Sequence, residues 1–129
     1  MPGRKPAKID EEILLTRAVN VQLLKNLMIW GELQEQGAGE EPELRLTFAY
    51  VAADEERAER LVAFLGAETD YELYVRRRGR VGGRRWFVAG ATQPARVSLE
   101  TLNAWTEWMI AAGAGHGECA FDGWAPQES

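Results

Sequence analysis

The hydrophobic pattern of this chain changes its period several times between residues 44 and 121. In four stretches apolar and polar residues alternate, which is typical of half-buried strands. Between the first and second of these stretches, and again between the third and fourth, apolar residues recur every three or four positions, as on one face of a helix. The predicted strands are 44–51, 71–76, 84–90 and 116–121, and the predicted helices are 55–65 and 99–110.

Residues that favour helix starts and tight turns separate these elements. Asp54 and Ser98 precede the two helical stretches and are good N-cap residues. The glycine-rich stretch 79–83 joins the second and third strands, and glycines in a loop of this length are a common hairpin signal. The order strand, helix, strand, strand, helix, strand is that of the split βαβ unit. We therefore predict an α+β, ferredoxin-like βαββαβ sandwich, in which a four-stranded antiparallel sheet carries both helices on one face.

A longer helical pattern precedes this unit. Apolar residues recur every three or four positions from Ile13 to Met28, and Trp30 and Gly31 end the run. The apolar stripe is broad, so this extra N-terminal helix must lie against the sheet, against the other helices or against a second copy of itself. The predicted organisation is a flexible tail over 1–9, this helix over 10–31 and a ferredoxin-like domain over 43–125, with a polar linker at 34–42.

Length and composition are those of one ordinary globular domain. The chain has 129 residues, of which 46% are hydrophobic and 27% are charged. Its uncharged runs are shorter than the roughly 18 to 20 apolar residues of a membrane span, and no apolar core of a secretory signal follows the basic start. A single cysteine excludes an internal disulfide, and with a single histidine it leaves no cysteine–histidine zinc set. We expect a cytoplasmic protein without a metal or another cofactor.

The net charge of −5 hides a basic island in an otherwise acidic chain. Residues 71–97 carry seven arginines and one acidic residue, and six of these arginines fall within ten positions around the predicted hairpin. Such a cluster can neutralise phosphates or match an acidic protein surface. It can equally remain a solvated hairpin whose arginines pair with acids on the first helix or on a neighbouring molecule. The candidate binding residues are Arg76, Arg77, Arg78, Arg80, Arg84 and Arg85.

Aromatic residues on the same two strands raise a nucleic-acid alternative. Tyr71, Tyr74, Trp86 and Phe87 would let one face of the sheet stack nucleobases, as the sheets of RNA-recognition domains do. The RNP1 motif of those domains is absent from this sequence, however, and alternating aromatic residues on strands more often belong to a core.

No pattern of residues predicts catalysis. The carboxylates concentrate at helix starts and in the linker, where the helix dipole and solubility favour them. His116 and Cys119 are three positions apart on a predicted strand, so their side chains would point to opposite faces and would not form a nucleophile–base pair. The glycines at 79–83 lack the lysine and the helix start of a phosphate-binding loop. We therefore expect a non-enzymatic protein with Cys119 in its core.

The stretch from Gly117 to Trp124 resembles the closing motif of the regulator of ribonuclease E activity B family, and its specific part is Asp122-Gly123-Trp124. The resemblance implies a ferredoxin-like fold and no enzymatic activity. It also implies binding to the non-catalytic scaffold region of bacterial ribonuclease E, by which such proteins change RNA degradation. Also similar to that family are the Phe48-Ala49-Tyr50 strand and the stretch Leu23-Leu24-Lys25-Asn26-Leu27 with the closing Gly31.

Two interpretations of Trp124 follow from its position. Asp122-Gly123 is a turn dipeptide, after which Trp124 can fold back as a structural lock that plugs the end of the sandwich. It can also lie at the surface and anchor a partner. The sequence leaves homodimerisation open too, because the sheet has a bare face and the first helix a broad apolar stripe. The expected function is regulatory protein binding, with nucleic-acid binding through the arginine-rich hairpin as the alternative.

Overall fold

Three helices and six strands make up residues 6–79 and 85–127, the parts of the chain that the computed structural model describes. The protein is a mixed α+β protein, as predicted. The helices are α1 (Pro6–Glu35), α2 (Glu55–Glu68) and α3 (Leu99–Gly115). The strands are β1 (Glu43–Leu44), β2 (Leu46–Ala52), β3 (Glu72–Arg78), β4 (Arg85–Ala91), β5 (Ala95–Arg96) and β6 (Ala120–Pro126).

Four of the strands form one antiparallel sheet in the spatial order β3-β4-β2-β6, so β3 and β6 are its outer strands. Along the chain these are the second, third, first and fourth strands of the sheet. Strands β3 and β4 pair along their whole length, from Glu72 opposite Ala91 to Arg78 opposite Arg85. The short strands β1 and β5 pair with each other in a separate ladder, which holds together the segments that lead into β2 and α3.

Helices α2 and α3 cover one face of this sheet. In β2 the even-numbered residues are buried and the odd-numbered residues between them are half-buried. Because successive strand residues point to opposite faces, the buried set marks the covered face and the other set marks a second face that α2 and α3 leave open. The predicted four-stranded antiparallel sheet is thereby confirmed. The apolar cluster between sheet and helices includes Leu46, Phe48, Tyr50, Ala52, Ala58, Leu61, Leu65, Val88, Leu102, Met109 and Ala112.

Helix α1 extends beyond the predicted range 10–31 at both ends. It begins at Pro6, where proline is tolerated because the first N–H groups of a helix have no intrahelical partner. The predicted tail is therefore helical from that residue on, and its first five residues lie outside the described range. Gly31 lies inside the helix instead of ending it. The helix is terminated at Gly37, whose φ is +85°. The N–H of Gly37 donates to the carbonyl of Gln34 and the N–H of Ala38 donates to the carbonyl of Leu33, which is a Schellman motif.

The last strand, β6, begins and ends later than the predicted stretch 116–121. Gly117 and Glu118 have φ values of +95° and +52°, so the backbone turns there and cannot continue as an extended strand. His116 is consequently the C-cap residue of α3, and its N–H donates to the carbonyl of Ala112. The alternation of apolar and polar residues did not predict the positive φ values of Gly117 and Glu118.

A buried polar network attaches α1 to α3 and to β6. The Nδ2 group of Asn26, a fully buried residue, donates to Oδ1 of Asn103 (3.0 Å) and to Oγ1 of Thr106 (2.9 Å). Its Oδ1 accepts a hydrogen bond of 2.6 Å from Nε1 of Trp124. An amide buried without partners would cost several kcal/mol, whereas here both donors and the acceptor are paired. The network therefore favours one orientation of α1 about its own axis.

Three weakly acidic side chains lie in the core or at its border. Tyr50 is fully buried, and its hydroxyl donates to the carbonyl oxygen of Met109 (2.7 Å). Burial raises the pKa of Tyr50, of Tyr71 and of the Cys119 thiol, because the charged forms of these groups would be poorly solvated. All three groups are therefore protonated at neutral pH in the folded protein.

We expect the free energy of unfolding to fall as the pH rises above about 9. The unfolded chain releases these protons near the ordinary pKa values of 9.0 and 10.0, while the folded protein releases them only at higher pH because burial raises their pKa values. Each such group lowers the stability by up to about 1.4 kcal/mol per pH unit. Urea titrations at a series of alkaline pH values would measure the slope. Tyr50→Phe should make the slope of the unfolding free energy against pH shallower. The core control Met109→Leu should lower the stability without changing that slope. Equal slopes for Tyr50→Phe and the wild type would contradict this account.

The substitution Gly113→Ala should destabilise the protein by about 1–3 kcal/mol through overpacking. A Cβ atom at this position would lie 2.6 Å from the carbonyl oxygen of Cys119 and 2.6 Å from the ring of Tyr50. Gly115→Ala in the same helix is the matched control, because a Cβ atom there meets nothing within 4 Å. The control should be neutral or stabilising by up to about 1 kcal/mol. Urea unfolding of both variants tests the packing, and a Gly113→Ala protein as stable as the control would refute it.

The substitution Trp124→Phe should cost about 1–3 kcal/mol, because it leaves the buried Oδ1 of Asn26 without its donor. Trp108→Phe is the control, since Trp108 is 40% exposed and stacks on Phe64. Thermal unfolding monitored by circular dichroism would compare the two. A smaller loss for Trp124→Phe than for Trp108→Phe would mean that the indole hydrogen bond does not stabilise the α1 attachment.

Candidate functional site

The open face of the sheet forms a groove of about 460 Å³. Residues that are in register across β4, β2 and β6 make its floor: Ala89 of β4 lies beside Ala49 of β2, and Ala49 lies beside Gly123 of β6. Two alanines and a glycine leave the middle of this face low. Such a floor allows another main chain to approach the sheet closely.

A wall borders the groove on each side. On one side stand Tyr74 and Arg76 of the outer strand β3. On the other side stand Gln22, Lys25 and Ile29 of α1. Helix α1 therefore packs on α3 with one part of its surface and borders the groove with another. The position of α1 beside the groove was not predicted, because nothing in the helical pattern indicates which strand lies beside this helix.

Towards the β3–β4 hairpin the groove continues into a hollow of about 230 Å³. The hollow is lined by Arg76, Arg78, Phe87 and Asp122 besides the two floor alanines. Arg78 is paired with Arg85 in the register of β3 and β4, so a third arginine lies at this end of the same face. Among the described residues that line the groove and the hollow, Asp122 is the single carboxylate, and the surface therefore carries a net positive charge.

The described arginines of the predicted cluster have no acidic partners. Within residues 6–79 and 85–127, the arginines in ion pairs are Arg45, Arg57 and Arg60. The guanidinium of Arg76 lies over the ring of Tyr74, 4.9 Å from its centroid, and that of Arg77 lies 5.5 Å from the centroid of Trp86. Pairing of the cluster with acids of the first helix is therefore not seen in the described part of the chain. The cluster comprises Arg76, Arg77, Arg78 and Arg85 inside the described residues, and Arg80 and Arg84 outside them.

The four aromatic residues predicted to share one face are divided between the two faces. Tyr74 and Phe87 lie on the open face, where Tyr74 is 45% exposed. Tyr71 and Trp86 pack against the core on the helix side, and the hydroxyl of Tyr71 accepts a hydrogen bond of 2.9 Å from Nε1 of Trp105. The prediction of a four-membered stacking surface is therefore wrong, because alternation along β3 and β4 separates its members.

The Asp122-Gly123-Trp124 step forms a β-bulge. The pairing of β2 with β6 shifts between Ala49, which faces Gly123, and Tyr50, which faces Phe121, so Asp122 is the extra residue. Gly123 has a φ of +122°, a conformation that side chains disfavour. The bulge directs Asp122 to the groove and turns Trp124 inwards, where it is 8% exposed and donates to Asn26. Trp124 thus belongs to the core cluster, and it also lines part of the groove.

His116 and Cys119 occupy different surroundings and do not follow the predicted strand. The ring of His116 stacks on that of Phe64, with centroids 3.6 Å apart and planes 11° apart. Cys119 is buried, and its thiol lies 3.6 Å from the carbonyl oxygen of Arg57. Burial raises the pKa of that thiol, which disfavours the nucleophilic thiolate.

Neither a metal site nor a membrane-spanning helix is found in the described ranges. No three side chains of histidine, cysteine, aspartate or glutamate come together there in a way that could hold a metal ion. None of the helices in those ranges combines the length and the apolar composition that crossing a membrane requires.

Comparison of the chain with protein-family models, with curated proteins and with solved structures gave no match. The features of this chain that bear on function are therefore the groove, the charges around it and the closing motif of β6.

Proposed function

We propose that this protein is a non-enzymatic regulatory protein that holds an extended acidic segment of a partner protein in the groove on its open sheet face. The observation that supports this proposal most directly is the combination of a low floor with basic walls. Ala49, Ala89 and Gly123 leave room for a main chain, and Lys25 and Arg76 stand on opposite sides of it. An extended chain with carboxylates on both sides could form ion pairs with Lys25 on one wall and with Arg76 on the other.

We further infer that β2, α2, β3, β4, α3 and β6 form a ferredoxin-like unit. The first crossover, β2-α2-β3, spans β4, because β4 lies between β2 and β3. The second crossover, β4-α3-β6, spans β2 in the same way. Such interleaved crossovers are characteristic of the split βαβ arrangement. On this interpretation α1 and the β1–β5 ladder are additions to the unit.

The resemblance of the closing motif to the ribonuclease E regulators suggests the partner. On this proposal the bound segment belongs to the non-catalytic region of ribonuclease E, and binding modulates RNA degradation without any chemistry by this protein. The Asp122-Gly123-Trp124 step contributes indirectly, because its bulge directs Asp122 to the groove and secures α1 through Trp124. Asp122 would then help to select the ligand by repelling carboxylates at one end of the groove.

Nucleic-acid binding remains the second candidate, because three arginines and Phe87 lie together at the hairpin end of the open face. Two observations favour a protein ligand over it. The central strands offer alanines, Ala49 and Ala89, at the positions in the middle of this face where bases would need aromatic rings. The ring of Tyr74 is already covered by the guanidinium of Arg76.

The test is the affinity for the purified non-catalytic region of ribonuclease E, measured by isothermal titration calorimetry. Arg76→Glu and Lys25→Glu should each weaken binding by about 10- to 100-fold, the equivalent of one charge-assisted hydrogen bond. Arg60→Glu is the matched control, because Arg60 is an exposed arginine of α2 whose partner is Glu56. Binding that is absent in the wild type, or that the control weakens as much as Arg76→Glu does, would contradict the proposal.

Two further measurements separate a protein ligand from a nucleic acid. Ala89→Leu raises the groove floor without changing charge, so it should reduce binding of an extended polypeptide while leaving the melting temperature close to that of the wild type. A labelled single-stranded RNA should bind weakly to the wild type. Tight RNA binding that falls steeply with salt, together with no binding of the ribonuclease E region, would establish the nucleic-acid candidate instead.

A further inference from the structure

Helix α1 presents large apolar side chains on the side opposite its contact with α3. Leu24 and Met28 are 65% and 71% exposed, whereas Gln22 and Asn26, on the other side, are buried. These exposed residues belong to a row with alternating spacings of three and four, which we call the outer stripe. The outer stripe consists of Leu14, Arg17, Val21, Leu24, Met28, Gly31 and Glu35.

The contact positions of a two-helix coiled coil have the same alternating spacing. Four of the seven positions are aliphatic or methionine, and Gly31 allows a facing side chain to come close. Ile13 and Leu27, which are 46% and 55% exposed, widen the stripe on one side. The apolar part is continuous over about two helical turns, from Val21 to Met28, and charged residues occur towards its ends.

The outer stripe and its two neighbours expose about as much apolar surface as the largest patch of a typical monomer. The six apolar side chains are 46–71% exposed and present on the order of 500 Å², within the range of about 300–600 Å² for such patches, which often mark binding sites. A second copy of the same helix would cover the part of this surface that its own α1 reaches. Its shape would match because the two stripes are identical.

The charges at the ends of the stripe determine how the two copies would be oriented. In a parallel pair, Arg17 would face Arg17 and Glu35 would face Glu35, and both contacts would be repulsive. In an antiparallel pair, Arg17 of one copy can face Glu35 of the other. The same register sets Leu24 opposite Met28 and Val21 opposite Gly31, while Leu14 lies beyond the end of the facing helix.

We propose that the protein forms an antiparallel homodimer through the outer stripe of α1, with Arg17 of each copy against Glu35 of the other. The inference rests on α1 alone and does not depend on the ligand of the groove. The interface is isologous, since each stripe contributes the same residues to both ends of a two-fold contact.

Sedimentation equilibrium of the full chain over a range of concentrations tests the dimer. The wild type should be dimeric, and Leu24→Glu should weaken the dimer by at least about tenfold, because it buries a charge in the middle of the interface. Leu24→Met should leave the dimer intact. Ala63→Glu, which introduces the same charge at an exposed position of α2, is the matched control and should also leave it intact. Circular dichroism of each variant verifies that the fold is retained.

A charge swap tests the orientation. Arg17→Glu and Glu35→Arg should each weaken the dimer, and the double variant Arg17→Glu/Glu35→Arg should restore it. A wild type that is monomeric at every soluble concentration would overturn the proposal, and the stripe would then belong to a different protein partner. A dimer that survives Leu24→Glu would overturn the interface, and a double variant as weak as the single ones would overturn the antiparallel register.

Discussion

The arrangement of this molecule depends on one buried side-chain amide. Asn26 is paired by Asn103, Thr106 and Trp124, and a rotation of α1 by one residue would leave these groups without partners in an apolar surrounding. The network thus determines which surface of α1 borders the groove and which surface faces outwards. The groove wall and the outer stripe are both consequences of this one orientation, although they lie on different sides of the helix.

Sequence periodicity predicted most of the regular structure because it reports which side of an element is buried. It failed where a single backbone conformation decides the outcome. Gly37 ends α1, although Gly31 offers the same residue type at an earlier position. Likewise, the positive φ of Glu118 and the bulge at Asp122 depend on contacts made far along the chain, and no local pattern of residue types encodes them.

Only the positive charge of the candidate site was predicted from the sequence. The arginine cluster is visible in the sequence, but the division of its neighbouring aromatics between two faces required the registers of β3 and β4. The floor was in principle readable, because Ala49 and Ala89 are small residues on the uncovered side of their strands. The contribution of Lys25 to the groove wall could not be predicted from the sequence, because it depends on where the Asn26 network positions α1.

The arginines of β3 have a consequence for the protein in the absence of any ligand. Strand β3 is an outer strand, and the unpaired backbone groups along such an edge can template pairing with another molecule. Arg76, Arg77 and Arg78 place like charges on both sides of that edge, so two copies approaching edge to edge repel each other before backbone hydrogen bonds can form. The residues that would attract an acidic ligand therefore also oppose the pairing of two empty proteins into intermolecular sheets.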